Sequence, residues 1–102
     1  MIQVYSITRT KLYRDLVKVK GVTVLRKTYI HPQVGNILMH GMEVLSQECK
    51  IIVEPLWEDE KSRLFNITYT DQSTGEELFF ESVKNRFVRD FVEQKIYGRL
   101  AK

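Results

Sequence analysis

The side chains able to do metal or nucleophilic chemistry are few: His31, His40 and Cys49, each nine residues from the next. A structural zinc site takes four ligands, often in close pairs, and no CxxC or HxxxH occurs here. Cys49 could act as a nucleophile with either histidine as its base. However, it opens a stretch read below as a buried strand, where a free cysteine behaves as a small apolar filler. The chain has no GxSxG elbow, and the glycines at 35 and 41 lack the Lys-Ser/Thr that completes a phosphate-binding loop. Glu58-Asp59-Glu60 are consecutive acids, which repel and ionise in water; a tuned acid–base pair is held apart in a cleft. No catalytic residue, metal or cofactor is expected.

The remaining candidates are for binding. Arg9, Lys11, Arg14, Lys18, Lys20, Arg26 and Lys27 crowd the first thirty residues, with Tyr5, Tyr13 and Tyr29 among them. Nucleic-acid surfaces use such mixtures, because cations meet phosphates while rings stack on bases. A surface that docks an acidic protein has the same composition, and so does a face that only meets solvent. None of the recognised base-reading motifs is present. Trp57, next to the acidic run, is either a core residue or an exposed anchor for a partner. Asn66-Ile67-Thr68 matches a glycosylation sequon but falls inside an expected strand.

Charge is unevenly spread over the 102 residues, whose net charge is +3. Residues 1–30 hold seven bases and one acid, and residues 31–60 hold one base and six acids. Such asymmetry suggests a charged partner. At 43 % hydrophobic and 28 % charged, the composition is that of an ordinary globular chain and argues against disorder. One cysteine permits no internal disulfide, which fits a reducing, intracellular, cytoplasmic setting. The apolar runs fall far short of the ~20 residues of a membrane span. The opening MIQVYSITRTKLYRDL lacks the basic-then-apolar order of a secretory signal and is expected to belong to the fold.

The length fits one domain, 1–102, with no repeat and no linker-like run. Val83, Phe87, Val88, Phe91, Val92, Ile96 and Leu100 recur at helical steps and predict an amphipathic helix over 83–98. Ser82 is its expected cap and Gly98 its stop. Arg86–Asp90 and Arg89–Glu93 stand at the i,i+4 spacing of helix ion pairs. Phe65, Ile67 and Tyr69 alternate with polar residues, predicting a strand. After it come a turn over 71–76, with Asp71 bonding its own backbone and Gly75 left-handed, and a returning strand over 77–81. Residues 49–57 read as a further strand, in which Pro55 belongs at an edge or bulge. The stripe Val34, Ile37, Leu38, Gly41, Met42 and Leu45 predicts a second helix near 33–46, weakened by Gly35 and Gly41. Residues 22–30 read as strand. Residues 10–19 stay open between a short helix after Thr10 and a hairpin turning at Lys20-Gly21.

The expected fold class is therefore α+β, an antiparallel sheet of three to five strands with the C-terminal helix across one face. From residue 33 the expected order of helix, three strands and helix resembles that of double-stranded-RNA-binding domains. The resemblance stops at element order. That family's Gly-Pro-x-His turn and Lys-Lys-x-Ala-Lys helix start are missing, and the last helix opens Ser82-Val-Lys-Asn-Arg86. The functional expectation is a non-enzymatic protein that binds another macromolecule, as adaptor, inhibitor or assembly component. The expected partner is a protein with an acidic surface. The alternative is a nucleic-acid-binding module using residues 9–27, and self-association stays open.

Overall fold

The computed structural model describes residues 3–30, 35, 37–56 and 64–100, with side chains for all of these except 3–6, 9, 37, 99 and 100. It is a small α+β domain. Five antiparallel strands run β2 (Thr23–Ile30), β3 (Ile37–Leu45), β4 (Cys49–Leu56), β5 (Leu64–Asp71) and β6 (Glu77–Lys84). A short strand β1 (Gln3–Ser6) adds to β3 in parallel, and the helices are α1 (Lys11–Leu16) and α2 (Asn85–Leu100).

The helix expected over 33–46 is corrected by β3. Residues 33, 34 and 36 lie outside the described residues, but Ile37–Leu45 is a strand paired with β2 along its whole length. On β3 the buried residues Met42 and Val44 face the core, whereas buried Met39 lies on the opposite pleat. β3 carries apolar residues on both pleats, Leu38, Met42 and Val44 on one and Met39 and Leu45 on the other, and periodicity cannot separate such a run from a helix. The resemblance in element order to double-stranded-RNA-binding domains falls with that helix.

β3 changes neighbours in mid-strand. Gln3–Ser6 pairs with its first half, ending at Ser6 opposite His40, and β4 pairs with its second half, from Met42 opposite Val53 to Leu45 opposite Lys50. Gly41 stands at the changeover. Pro55 lies past the end of the β3–β4 ladder, where its missing N–H costs nothing, and pairs across to Phe65 of β5.

The open choice at 10–19 resolves as helix. Thr10 caps α1: its hydroxyl accepts from the Tyr13 N–H at 3.3 Å and donates to the Ile7 carbonyl at 2.6 Å. Leu12 and Leu16, one turn apart, are buried. Gly21, at φ +86°, turns the chain into β2.

The alternation expected in β5 is present from Leu64 to Asp71, with Phe65, Ile67, Tyr69 and Asp71 buried. The inward residues of β2–β6 meet Val88, Phe91, Val92 and Ile96 of α2 and Ile7, Leu12 and Leu16 from the N-terminal segment in one core. Phe91 meets Tyr69 edge-on, ring centroids 5.6 Å apart, and Phe80 at 5.1 Å. Phe87 belongs to this aromatic group but is 40 % exposed, so it is not the core anchor its spacing predicts.

Three details at the ends of α2 differ from expectation. Ser82 is not a cap; it lies in β6 at φ +57°, and its N–H reaches the Asn66 side-chain oxygen at 3.0 Å. There Glu81 and Ser82 oppose the single residue Asn66, a β-bulge that turns the chain toward α2. The helix runs through Gly98 to Leu100. The ion pair formed on it is Arg89–Asp90 at 3.5 Å, between neighbours, rather than a pair one turn apart.

The turn over 71–76 forms as its residues predict. The Asp71 carboxylate accepts from the Ser73 hydroxyl at 2.7 Å, the Ser73 and Thr74 backbone N–H groups at 2.9 and 3.1 Å, and the Tyr69 hydroxyl at 3.0 Å. Gly75 has φ +76°. These donors, the Ser73 hydroxyl foremost, hold the Asp71 carboxyl well below its ordinary range. Glu43 is lowered too, chiefly by its bond to Lys27. A carboxyl lowered by folding stabilises the protein fully above its unfolded value, ~4, and loses that contribution as pH falls through the folded value. Stability measured by urea melts should thus decline from about pH 4 downward. Asp71→Asn should be less stable at pH 7 and flatter in that acid range, keeping the residual slope due to Glu43. Parallel curves for the two proteins would contradict this account of the turn.

Candidate functional site

Six of the seven bases of the N-terminal segment have described side chains, and those six do not form one surface. Arg9 falls in a 3-10 turn (Ile7–Arg9), and its side chain is outside the described residues. Lys11 and Arg14 share a face of α1, since they are three residues apart, and both are exposed. Lys18 is exposed in the turn after α1. Lys20 lines a separate cleft with Gly21, Ser46 and Glu48.

Arg26 and Lys27, adjacent on β2, point to opposite faces of the sheet. Arg26 lies opposite core residue Met42 and reaches solvent at the sheet edge. Lys27 lies on the face without helices and meets Glu43 at 3.1 Å, while Lys50 meets the same carboxylate at 3.4 Å.

The interleaved tyrosines are also dispersed. Tyr13 is half-buried and packs against the core. Tyr29 is half-buried on the helix-free pleat, on the Lys27 side of the strand. Its phenol is held neutral above its usual range by burial, with Glu54 and Glu43 adding to the effect. Tyr5 lacks a described side chain, and Trp57 and the acidic run Glu58-Asp59-Glu60 lie outside the described residues.

The fold assembles a basic site that the chain order hides. An open cleft of about 530 Å3 is lined by Thr10, Lys11 and Leu12 from the start of α1 and by Asn85, Arg86 and Arg89 from the start of α2. Three cations from opposite ends of the sequence line it, and no acid does among the described residues. Asp90, the nearest acid in sequence, pairs with Arg89, with both side chains more than half exposed. Such a pair is weak in water and leaves Arg89 available. Arg14 is exposed one turn along α1 from Lys11.

Arg86 and Arg89 were legible only as members of helix ion pairs. The stronger signal is that the first turn of α2 carries no acid. Acids are favoured near a helix N-terminus and bases are not, so an arginine there is placed against the local preference.

Among the described residues, the candidates for catalysis do not meet. His40 lies mid-strand, with Nδ1 and the Thr28 hydroxyl 3.1 Å apart. Cys49 is buried at the start of β4, its sulfur 3.1 Å from the Ser46 hydroxyl. Cys49 lies level with Ser46, six residues beyond His40, which separates the two by about 20 Å along the strand. His31 lies outside the described residues. Among the described residues, no three His, Cys, Asp or Glu side chains are grouped to hold a metal, and no helix is long and apolar enough to cross a membrane. Compared with known protein families, curated proteins and solved structures, the chain matches none.

Proposed function

We propose that the protein works by stoichiometric, non-enzymatic binding to an acidic surface on another protein, as adaptor, inhibitor or assembly component, in a reducing cytoplasmic setting. The supporting observation is the cleft lined by Lys11, Arg86 and Arg89 and, among the described residues, by no acid. Cations brought together from two helices repel one another, and an acidic side chain or terminus seated between them offsets that repulsion. Exposed charges of this kind steer encounter and set specificity more than they hold a complex.

A nucleic-acid partner fits less well. Binding a single strand needs rings free to stack beside the cations. Tyr13 is spent on the core. Tyr29 is half-buried on the helix-free pleat, away from the cleft formed by the two helices, so it is not placed to stack beside those cations.

Gel-shift titrations with random duplex and single-stranded oligonucleotides at two salt concentrations separate the readings. Affinity weaker than about 100 μM at low salt is expected. Tight binding with a log–log salt slope of roughly −2 to −3, as three phosphate contacts give, would overturn the protein-partner reading if Lys11→Glu with Arg86→Glu abolished it.

A further inference from the structure

The charge held by the cleft at the start of α1 and α2 decides which anion suits it. Lys11, Arg86 and Arg89 line it together with the Asn85 amide, and Asp90 is bonded to one of them, Arg89. Three cations less this one carboxylate leave a net charge of +2. An Asp or Glu side chain or a chain terminus brings a single negative charge and offsets only half of that. A phosphorylated side chain carries about −1.5 to −2 at pH 7. Resting on the reading of this cleft as the docking site for an acidic protein, we propose that the group it takes is a phosphate monoester on a phosphorylated side chain of that partner.

The supply of oxygens points the same way. A carboxylate offers two, and a phosphate monoester offers three strong acceptors. An arginine fork binds phosphate through two parallel N–H···O bonds, whereas lysine meets it as a point charge. Two forks and one ammonium can share three oxygens, but on a carboxylate they compete for two. Thr10 also lines the cleft, yet its hydroxyl is used locally, donating to the Ile7 carbonyl and accepting from the Tyr13 N–H. The side-chain donors left among the described lining residues are therefore the three cations and Asn85.

A nucleic-acid backbone is the poorer match, because each of its phosphates is a diester with one negative charge. The monoester also has a signature of its own. Its second proton leaves near pH 6, and clustered cations lower that value by favouring the charged form. Affinity should therefore rise between about pH 5 and pH 7, a range over which an Asp or Glu ligand is already largely ionised.

Titration of the full chain with three short peptides, alike except for phosphoserine, a Glu-Glu pair or serine at the centre, tests it. The phosphopeptide is expected to bind about tenfold or more tighter than the others at pH 7 and to lose much of that advantage near pH 5. Phosphorus NMR should show its second proton leaving at a lower pH when bound. Lys11→Glu with Arg86→Glu should abolish the binding, and Arg89→Lys, which keeps the charge but not the fork, should weaken it several-fold. Inorganic phosphate should displace the peptide only at far higher concentration. No phosphopeptide binding up to about 1 mM, equal binding of the Glu-Glu peptide, equal affinity for inorganic phosphate, or binding that the double variant retains would overturn the phosphate assignment. The broader reading fails separately. A protein held from the host extract through Lys11 and Arg86 even after phosphatase treatment would keep that reading and remove only the phosphate, whereas capture independent of both residues would remove the two together.

Discussion

Alanine at position 41 is expected to cost the folded state about 3 kcal/mol or more, a large share of the stability of a domain this size. Gly41 sits where β3 exchanges β1 for β4 as its neighbour. A Cβ there would run into the Val53 carbonyl oxygen and stand 3.0 Å from Cδ of Pro55. The obstacle is backbone in a central strand backed by a proline ring, and neither can rotate away as a flexible side chain would. Relief requires β3 and β4 to separate, which breaks the ladder that carries Met42, Val44, Ile51 and Val53 into the core. Gly98 supplies the control. It is helical and exposed, with nothing near its missing Cβ, so Gly98→Ala should gain up to about 1 kcal/mol. Urea melts of both variants check the contrast. A Gly41→Ala loss below about 1 kcal/mol would mean that the two strands part more easily than their register implies.

Phe91→Ala is expected to cost about 3–5 kcal/mol, from lost transfer free energy and the cavity left behind. Phe91 is 8 % exposed, and its ring joins Tyr69 of β5 to Phe80 of β6, so its removal detaches α2 from two strands together. Phe87, on the same stripe but 40 % exposed, should cost far less when truncated. Equal losses at the two positions, or a loss under 1 kcal/mol at 91, would sink this picture of how α2 packs.

The same residues mark how far the sequence could be read. Period-two alternation from Phe65 to Tyr69, the Asp71 and Gly75 turn, and the Val88–Val92–Ile96 stripe are local patterns enforced by the single face they bury, and each is present in the fold. Ile37–Leu45 read as helix because a strand apolar on both sides has no alternation to display, and its glycine, the best argument against a helix, is explained only by a backbone contact with β4.

Ser82 matched a helix cap by type, yet its place was decided by Asn66, sixteen residues earlier, whose side chain holds the bulge. The basic site was half legible. Lys11 and Arg14 stood out as a local run, but Arg86 and Arg89 join them only because α1 and α2 start at the same end of the core, which is a tertiary fact. Conversely, the run continued on paper through Lys20, Arg26 and Lys27, which the strands and turns disperse.

Capture from an extract of the protein's own host, with nuclease present, comparing the wild type with the double variant Lys11→Glu/Arg86→Glu, tests the binding proposal most directly. Both substitutions put an acid in the first turn of a helix, where it is favoured by roughly 0.3–1 kcal/mol, so the variant should melt no lower than the wild type. The expected result is a stoichiometric protein partner that the wild type retains after nuclease treatment and loses as salt is raised, and that the equally stable variant fails to hold. Equal capture by both proteins, or capture that disappears with nuclease, would contradict the proposal.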